Sequence, residues 1–245
     1  MLEVMLRSGF TVYYRWTALL NRLLPDVEED GARFRVQPNV YRPLYGEGRA
    51  ADLCRPGDRV LEIGCGSGVV SLTAARRGCV VTAVDISPAA IENTTFNAER
   101  LGVQGIDIRR SDMYEAVDGT FDVILAHPPY IRLAVAGDDR QWATSASYLE
   151  ALLGGAPAHL AEDGRVGVIY VASQEGALAR LAADHGLAVV DRRSLGRAPF
   201  GRRLARLLYA NVGFAVHLYT LERVIAAVEV ARDQPVPAVP REEGR

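Results

Sequence analysis

Three short stretches and one residue pair of this sequence are of types that bind ligands or position reacting groups. The first is the glycine triplet Gly64-x-Gly66-x-Gly68, within VLEIGCGSG. The apolar run before it indicates a buried strand, and the pattern after it indicates a helix. Glycines between a strand and a helix allow a tight turn and let a ligand approach the backbone closely. This loop is therefore a candidate cofactor site, although a purely structural turn is the alternative.

The residues around the loop narrow the class of ligand. The spacing is G-x-G-x-G rather than the G-x-G-x-x-G of pyrophosphate binders. The strand before the loop also carries an acidic residue, Glu62. A carboxylate at that position would repel a negatively charged phosphate. The stretch therefore favours a ligand with a cationic group, or an internally ordered loop.

The second stretch ends the next predicted strand, VVTAVD, at Asp85. A carboxylate about 20 residues after a glycine loop is placed to accept hydrogen bonds from ribose hydroxyls. We include the following residue, Ile86, in the predicted cofactor site. An alternative is that Asp85 caps the helix that follows, but Ser87 before Pro88 suits that role better.

A further pair, Asp112 and Met113, follows the third predicted strand. Asp112 could accept a hydrogen bond from an adenine amino group, and Met113 offers an apolar face beside the ring. The alternative is that Asp112 is a surface turn residue.

The third stretch is FDVILAHPPYI, residues 121–131, in which an apolar run ends at His127-Pro128-Pro129-Tyr130. Two successive prolines cannot donate to a sheet, and each fixes φ near −65°. The chain is therefore stiff where a central strand ends. Stiffness there suits a site, but it also suits a simple turn.

Size and charge limit the classes of function. The chain has 245 residues, 24% of them charged, with a net charge of −2 and a pI near 6.1. This length fits one domain with a full core. A charge balance so close to neutral provides no global field that favours nucleic acid or an anionic membrane.

Cysteine usage and hydropathy bear on the compartment. Cys54, Cys65 and Cys79 lack C-x-x-C spacing, which argues against a disulfide framework or a zinc site. No apolar run approaches the ~18 residues that a membrane span needs. We therefore expect a cytoplasmic protein with no membrane partner and no metal.

From residue 58 strands and helices alternate, which predicts a three-layer α/β fold with a largely parallel sheet. The predicted strands are 59–64, 79–85, 106–110, 121–126, 165–172, 187–193 and 214–222, and the predicted helices are 67–77, 88–101, 144–161 and 173–185. Before them come a helix over 11–24, an acidic turn and a short strand. We divide the chain into 1–57, an N-terminal helix with a lid and acceptor segment, the domain 58–225, and a disordered tail over 233–245.

The glycine loop with Glu62, Asp85 and Asp112 together resembles the class I S-adenosylmethionine-dependent methyltransferases over about residues 40–222. The resemblance implies a Rossmann-like, seven-stranded and mostly parallel sheet whose last strand is antiparallel. It implies S-adenosylmethionine as the cofactor. Glu62 and the loop would hold its methionine end, Asp85 its ribose, and Asp112 with Met113 its adenine.

The HPPY stretch resembles the N/D/S-P-P-Y/F/W motif of the amino-methylating branch, which includes the HemK-type release-factor glutamine methyltransferases and the adenine-N6 methyltransferases. By that resemblance His127, the Pro128 carbonyl and Tyr130 orient the nucleophile, and Pro129 lines the acceptor pocket. Residues 39–48, NVYRPLYGEG, resemble the V-Y-x-P segment of HemK-type enzymes, which closes over the cofactor. Tyr41 would then contact the cofactor and Tyr45 the acceptor.

Two departures from that branch weaken the assignment of a glutamine or adenine acceptor. His127 stands where asparagine is usual, and a neutral imidazole cannot offer the combined donor and acceptor of an amide. The acidic and hydroxyl residues expected after V-Y-x-P are replaced by Leu44, Tyr45, Gly46 and Glu47.

We predict methyl transfer to the nitrogen of a small amino, amide or guanidino compound. The alternatives are a HemK-type protein-glutamine methyltransferase, then a nucleic-acid adenine-N6 methyltransferase, an O-methyltransferase using His127 as base, and a non-catalytic cofactor-binding scaffold. A protein partner stays open, and nucleic acid is the least favoured.

Other polar clusters are given structural roles. His159, His185 and His217 lie on predicted helix, turn and strand. A basic cluster comprises Arg192, Arg193, Arg197, Arg202, Arg203 and Arg206. The spacing of Arg202, Arg203 and Arg206 indicates the solvated face of a short amphipathic helix rather than phosphate contacts.

Overall fold

The computed structural model describes residues 2–130, 147–195, 208 and 215–224, and gives side chains from residue 11 onward. The strands are β1 (Asp26–Glu29), β2 (Ala32–Arg35), β3 (Arg59–Ile63), β4 (Val80–Asp85), β5 (Asp107–Arg110), β6 (Phe121–Ala126), β7 (Leu160–Val171), β8 (Leu187–Ser194) and β9 (Val216–Arg223). The helices are α1 (Leu2–Leu23), α2 (Val69–Arg76), α3 (Pro88–Leu101), α4 (Tyr148–His159) and α5 (Glu175–Asp184). Two 3-10 helices span Glu47–Leu53 and Ala172–Gln174.

Strands β3 to β9 form a seven-stranded sheet in the order β5-β4-β3-β6-β7-β9-β8. The neighbours from β5 to β7 are parallel, whereas β9 runs antiparallel to both β7 and β8. The predicted Rossmann-like fold, with a mostly parallel sheet and an antiparallel last strand, is confirmed. The strand order reverses at β3, and ligands of such sheets bind at the carboxyl ends beside that reversal.

The register of the central strands brings the three predicted motifs to one edge. Ile63 of β3 pairs with Val84 of β4 and with Ala126 of β6. The residues that follow these strand ends are therefore neighbours. Asp85, Gly64 and His127 stand next to one another along the carboxyl edge of the sheet.

Two clusters of buried apolar side chains support the carboxyl edge of the sheet. The larger lies around the central strands and includes Leu61, Ile124 and Val166, all fully buried. The smaller packs the N-terminal hairpin against α2 and α3, with Phe34 and Leu72 fully buried. The N-terminal segment is thereby part of the same packed body as the sheet.

Two buried asparagines of α3 attach the chain after β2 to the domain. Asn97 accepts from the Arg35 amide at 2.8 Å and donates to the Arg35 carbonyl at 2.7 Å. Asn93 accepts from the Gln37 amide at 2.7 Å and also donates to the Arg35 carbonyl, at 2.8 Å. These bonds satisfy backbone groups at the end of β2 and just beyond it, and they set the path of the chain toward the predicted lid segment.

The N-terminal part differs most from the sequence prediction. The predicted helix 11–24 begins at Leu2, and the predicted acidic turn is instead β1, paired with β2 in an antiparallel hairpin. In β1, Val27 and Glu29 face inward and Glu28 outward. One of the two inward-facing positions is therefore acidic, and a prediction from hydropathy does not recognise the strand. The predicted tail, 233–245, lies outside the described residues. No helix within the described ranges is long and apolar enough to cross a membrane.

Candidate functional site

The glycine loop after β3 has a backbone that requires glycine. Gly64, Gly66 and Gly68 have φ of 77°, 55° and 77°, in the left-handed region that side chains disfavour. A Cβ on Gly64 would lie 2.7 Å from the Tyr148 hydroxyl oxygen, and one on Gly68 would lie 2.9 Å from Leu72. Two of the glycines are therefore also required by close packing.

Gly66 differs, because its surroundings leave room. A Cβ there would meet nothing nearer than the Val40 side chain at 3.9 Å. The Gly66 amide donates to Asp85 Oδ2 at 3.0 Å. The middle of the loop thus combines a fixed backbone with an open side, as a cradle for a ligand does.

Asp85 organises the loop rather than the helix after it. Its Oδ1 accepts from the Ser87 amide at 2.9 Å while Oδ2 holds Gly66. Ser87 caps α3, since its Oγ accepts from the Ala90 amide at 3.3 Å and Pro88 is the first helical residue. The helix-cap alternative for Asp85 is therefore excluded, and ribose binding stays a prediction.

Glu62 is a buried carboxylate beneath the loop, only 4% exposed. Burial raises its pKa from the ordinary 4.5 to about 8, although hydrogen bonds from Ser71 oppose the shift, and the nearby Asp85 raises the pKa further. The Ser71 amide donates to Glu62 Oε2 at 2.8 Å. A bound cation would offset both the burial of Glu62 and its repulsion by Asp85, so the two acidic groups favour a cationic ligand.

The raised pKa of Glu62 predicts how the stability of the ligand-free protein depends on pH. A carboxyl whose pKa is higher in the folded state binds its proton more tightly there, so stability falls as pH rises from about 4.5 to about 8. We expect Glu62→Gln to remove this loss. Its melting temperature relative to wild type should increase by at least about 3 °C between pH 5 and pH 9, the shift of roughly 1 kcal/mol at this size. Thermal unfolding checks it, with the exposed Glu92→Gln as control, and equal differences at both pH values would contradict it.

Tyr148, at the first turn of α4, belongs to this site although no local sequence pattern selects it. Its hydroxyl donates to the Ile63 carbonyl at 2.6 Å. Burial raises its pKa well above the ordinary value, and the carboxylates of Asp85 and Glu62 raise it further. The ring closes the side of the loop that faces α4.

The predicted adenine residues follow β5 at the same edge. The Ser111 amide donates to the Asp85 carbonyl at 3.0 Å, which ties this turn to the end of β4. Asp112 exposes its side chain, and Met113 is half-buried with a left-handed φ of 48°. The Ile86 carbonyl accepts from Arg110 Nε at 2.9 Å. Contact of Asp112, Met113 and Ile86 with a cofactor stays a prediction.

The HPPY stretch carries a short internal hydrogen bond. His127 Nε2 lies 2.6 Å from the Tyr130 hydroxyl oxygen, while Pro128 is buried and Pro129 half-buried. Burial lowers the pKa of His127, and the carboxylate of Glu47 opposes that shift. The imidazole is therefore neutral near pH 7.

The V-Y-x-P segment lies against His127 and is held by Glu47, a residue that the sequence marks only as a departure from the family pattern. The Tyr41 ring meets the His127 ring edge-on, with centroids 5.0 Å apart. Glu47, 2% exposed, accepts from the Tyr41 hydroxyl at 3.0 Å and from the amides of Leu44 and Tyr45 at 2.9 and 2.8 Å. Tyr45, predicted to contact the acceptor, is 3% exposed within the main apolar core.

Gln174, which the sequence does not mark as part of a site, supports Tyr130 from the 3-10 helix that follows β7. Its Nε2 donates to the Tyr130 carbonyl at 3.1 Å, and its Oε1 accepts from the Tyr170 hydroxyl at 2.6 Å. The rings of Tyr130 and Tyr170 meet edge-on at 5.8 Å. Only the folded topology relates Gln174 to Tyr130, because the two lie 44 residues apart.

Comparison with known proteins shows which family this chain belongs to. The methyltransferase small domain family matches residues 51–186. The chain belongs to this family. It is 36% identical over 179 residues to a release factor glutamine methyltransferase of Cereibacter sphaeroides, an alignment that covers 66% of this chain and 64% of that enzyme. It is also 43% identical over 74 residues to a ribosomal protein L11 methyltransferase of Thermosipho africanus, covering 30% and 28% of the two chains.

A solved structure shows the same fold. A T. thermophilus 16S rRNA methyltransferase in complex with AdoMet and guanosine superposes with a TM-score of 0.56 at 19% identity, over 81% of this chain and 50% of the other. The matched part of the chain spans less than two thirds of the length of the curated relatives.

S-adenosylmethionine is the cofactor that this family uses, and the residues present fit it. The open cradle at Gly66 suits close approach to the backbone. The buried Glu62 and the Asp85 carboxylate suit a cationic methionine end rather than phosphates. In the methyltransferase domain these residues and Tyr148 would hold the methionine end, and Asp85 the ribose.

Other predicted polar groups lie away from this edge. His159 stacks on Tyr114 at 4.6 Å, His185 Nε2 contacts Glu150 at 3.0 Å, and His217 Nδ1 lies 3.4 Å from the Tyr219 hydroxyl. Arg192 pairs with Glu175 and Arg193 with Asp191, both at 2.7 Å. The rest of the basic cluster, Arg197, Arg202, Arg203 and Arg206, lies outside the described residues. Among the side chains that the structure describes, no group of three or more His, Cys, Asp and Glu could hold a metal ion.

Proposed function

We propose that this protein is an S-adenosylmethionine-dependent N-methyltransferase whose acceptor is the side-chain amide of a glutamine in a protein. The observation that carries the proposal is the register between β3 and β6, in which Ile63 pairs with Ala126. That register sets the HPPY stretch directly beside the glycine loop. The relative named as a release factor glutamine methyltransferase supports the same acceptor class.

The side chains of the HPPY stretch supply orientation. An amide is planar, so the Tyr130 ring can stack on it while the Pro128 carbonyl accepts one of its N–H groups. His127 supplies a second polar contact at the other end of the group. When bound, S-adenosylmethionine supplies a methyl group already activated by a sulfonium, so holding the acceptor in line provides most of the acceleration.

This proposal revises the order of acceptors expected from the sequence. The sequence favours a small amino, amide or guanidino compound, because it shows no extended recognition domain and its net charge of −2 provides no positive field. The relatives named for release factor and ribosomal protein L11 favour a protein acceptor, which was the first alternative. We therefore rank the small compound below the protein.

A second candidate is an acceptor that must lose a proton, such as a hydroxyl or carboxyl group. The observation that favours it is His127 itself, whose lowered pKa keeps the imidazole neutral and able to accept a proton. An asparagine at that position could not do so.

Transfer of labelled methyl groups tests both candidates. The protein is incubated with methyl-tritiated S-adenosylmethionine and, separately, purified bacterial release factor, ribosomal protein L11, free glutamine and free arginine. We expect label in a protein, at a glutamine amide located by peptide mass spectrometry, and its absence with the His127→Ala variant. Label only in a free amino acid, or in an alkali-labile ester, would contradict the protein-amide proposal.

A further inference from the structure

Glu47 is a buried acidic residue whose role is not explained by the glycine loop or by the HPPY stretch. It is 2% exposed, and burial of a carboxylate is costly unless hydrogen bonds satisfy it. Its Oε1 accepts from the Tyr41 hydroxyl at 3.0 Å and from the Leu44 amide at 2.9 Å, and Oε2 accepts from the Tyr45 amide at 2.8 Å. The carboxylate therefore binds the V-Y-x-P segment that precedes it.

Capping of the helix that begins at Glu47 does not account for this carboxylate. The 3-10 helix Glu47–Leu53 follows Gly46, whose φ of 88° lies in the left-handed region, and Gly46 provides no side-chain cap. The three bonds of the carboxylate go to residues before the helix and not to the amides of its first turn. The side chain thus turns back toward Tyr41.

The hydroxyl that Glu47 binds belongs to the ring that packs on His127. The Tyr41 ring meets the imidazole edge-on, with centroids 5.0 Å apart and an angle of 88° between the ring planes. The Glu47 carboxylate also raises the pKa of His127, against the larger effect of burial. Both the ring contact and the charge relate Glu47 to the imidazole.

We propose that Glu47 is a positioning residue for methyl transfer, which fixes the His127 imidazole at the acceptor through the ring of Tyr41. The proposal rests on the proposed function and adds a residue outside the HPPY stretch on which the orientation of the acceptor depends. A fixed imidazole is needed because the acceptor nitrogen has to lie in line with the methyl group, and a displacement of about 1 Å can cost about 100-fold in rate.

A double-mutant cycle tests whether Glu47 acts through Tyr41. Glu47→Ala is made in the wild type and in a Tyr41→Phe background, and methyl transfer is measured to the acceptor that the labelling experiment identifies. We expect Glu47→Ala to lower kcat at least about 10-fold in the wild type but less than about 3-fold in the Tyr41→Phe background, because the bond between the two side chains is already lost there. Equal costs in the two backgrounds would overturn the proposal.

The KM for S-adenosylmethionine separates this role from closure of the segment over the cofactor. Glu47→Ala should leave that KM within about threefold of wild type, since the bonds of the carboxylate reach neither the glycine loop nor Asp85. A raised KM with an unchanged kcat would assign the segment to the cofactor and overturn the proposal. Glu47→Gln, whose amide oxygen can still accept from the Tyr41 hydroxyl, should recover part of the lost turnover.

Asp122→Ala is the matched control for a loss of stability alone. Asp122 Oδ2 also accepts from a backbone amide, that of Arg59 at 2.7 Å, but it lies near the start of β6, at the opposite edge of the sheet from the candidate site. This variant should keep kcat within about twofold of wild type even where its melting temperature falls, since distant substitutions act independently. A loss of kcat as large as that of Glu47→Ala would assign both effects to destabilisation and contradict the positioning role.

A further measurement does not depend on the acceptor. Nuclear Overhauser effects between the ring protons of Tyr41 and His127 report their edge-on contact, because the ring centroids are only 5.0 Å apart. These effects should be present in the wild type and in Asp122→Ala, and lost in Glu47→Ala. Unchanged effects in Glu47→Ala would refute the positioning role, even if no protein were methylated. Their loss together with failed protein methylation would support that role and contradict only the proposed acceptor.

Discussion

Replacing Asp85 with alanine is expected to weaken S-adenosylmethionine binding by at least about 100-fold, because charge-assisted hydrogen bonds contribute roughly 1.5–3 kcal/mol each. The carboxylate holds the Gly66 amide at 3.0 Å and the Ser87 amide at 2.9 Å, which fixes the loop against the end of β4. Its removal loses the predicted contact with the ribose as well as the loop's shape. Isothermal titration calorimetry with S-adenosylmethionine measures the effect directly.

Two variants make that result specific. Asp85→Asn retains an acceptor for one of the two amides, so its loss of affinity should lie between wild type and Asp85→Ala. Asp107→Asn removes a carboxylate from the same sheet that pairs with Arg109 at 3.1 Å instead of with the loop. It should bind within about twofold of wild type, since distant substitutions act independently. Affinity within about threefold of wild type for Asp85→Ala would contradict the assigned role.

The parts of the fold that follow from local sequence were predictable, and the glycine loop shows why. This strand-to-helix turn has positive φ at Gly64, Gly66 and Gly68, and glycine is the residue that tolerates it. The position of the glycine loop, between an apolar strand and a helical pattern, could therefore be predicted from the sequence. Asp85 could also be predicted, because it ends the next strand about 20 residues after the glycine loop.

The remaining residues of the candidate site could not be predicted from the sequence, because only tertiary packing brings them next to the glycine loop and the HPPY stretch. Tyr148 reaches the Ile63 carbonyl across 85 positions, and Gln174 reaches Tyr130 across 44. Nothing in the local pattern around either residue marks it as part of a site. Glu47 stands out in the sequence only as a departure from the V-Y-x-P pattern, whereas its buried carboxylate joins Tyr41 to the backbone that follows it.

The hairpin β1–β2 shows the same limit in the fold. Its first strand is composed of Asp26, Val27, Glu28 and Glu29, a composition typical of a turn. Pairing with β2 and burial of Glu29 against the domain decide the structure instead. A prediction that relies on hydropathy does not recognise a strand when acidic residues lie on its inward face.

Substitution of His127 should separate catalysis from cofactor binding more sharply than any other change. We expect His127→Ala to lower the turnover number at least about 100-fold, the usual contribution of a positioned polar or proton-accepting group. S-adenosylmethionine affinity should stay within about threefold of wild type, because Asp85 accepts from the Gly66 amide and Glu62 from the Ser71 amide, and neither bond involves the imidazole. Single-turnover transfer and calorimetry on the same preparation give the two numbers.

The control for this substitution is His159→Ala, which removes an imidazole that stacks on Tyr114 at 4.6 Å, away from the carboxyl edge of the sheet. It should leave turnover within about twofold, as substitutions outside a site do. His127→Asn then distinguishes the two proposed acceptors. If the acceptor is an amide, the asparagine amide supplies donor and acceptor and turnover exceeds that of His127→Ala; if the acceptor must lose a proton, His127→Asn is as inactive as His127→Ala. Wild-type turnover in both variants would remove His127 from the mechanism, and the stiff proline turn at the end of β6 would then have no chemical role.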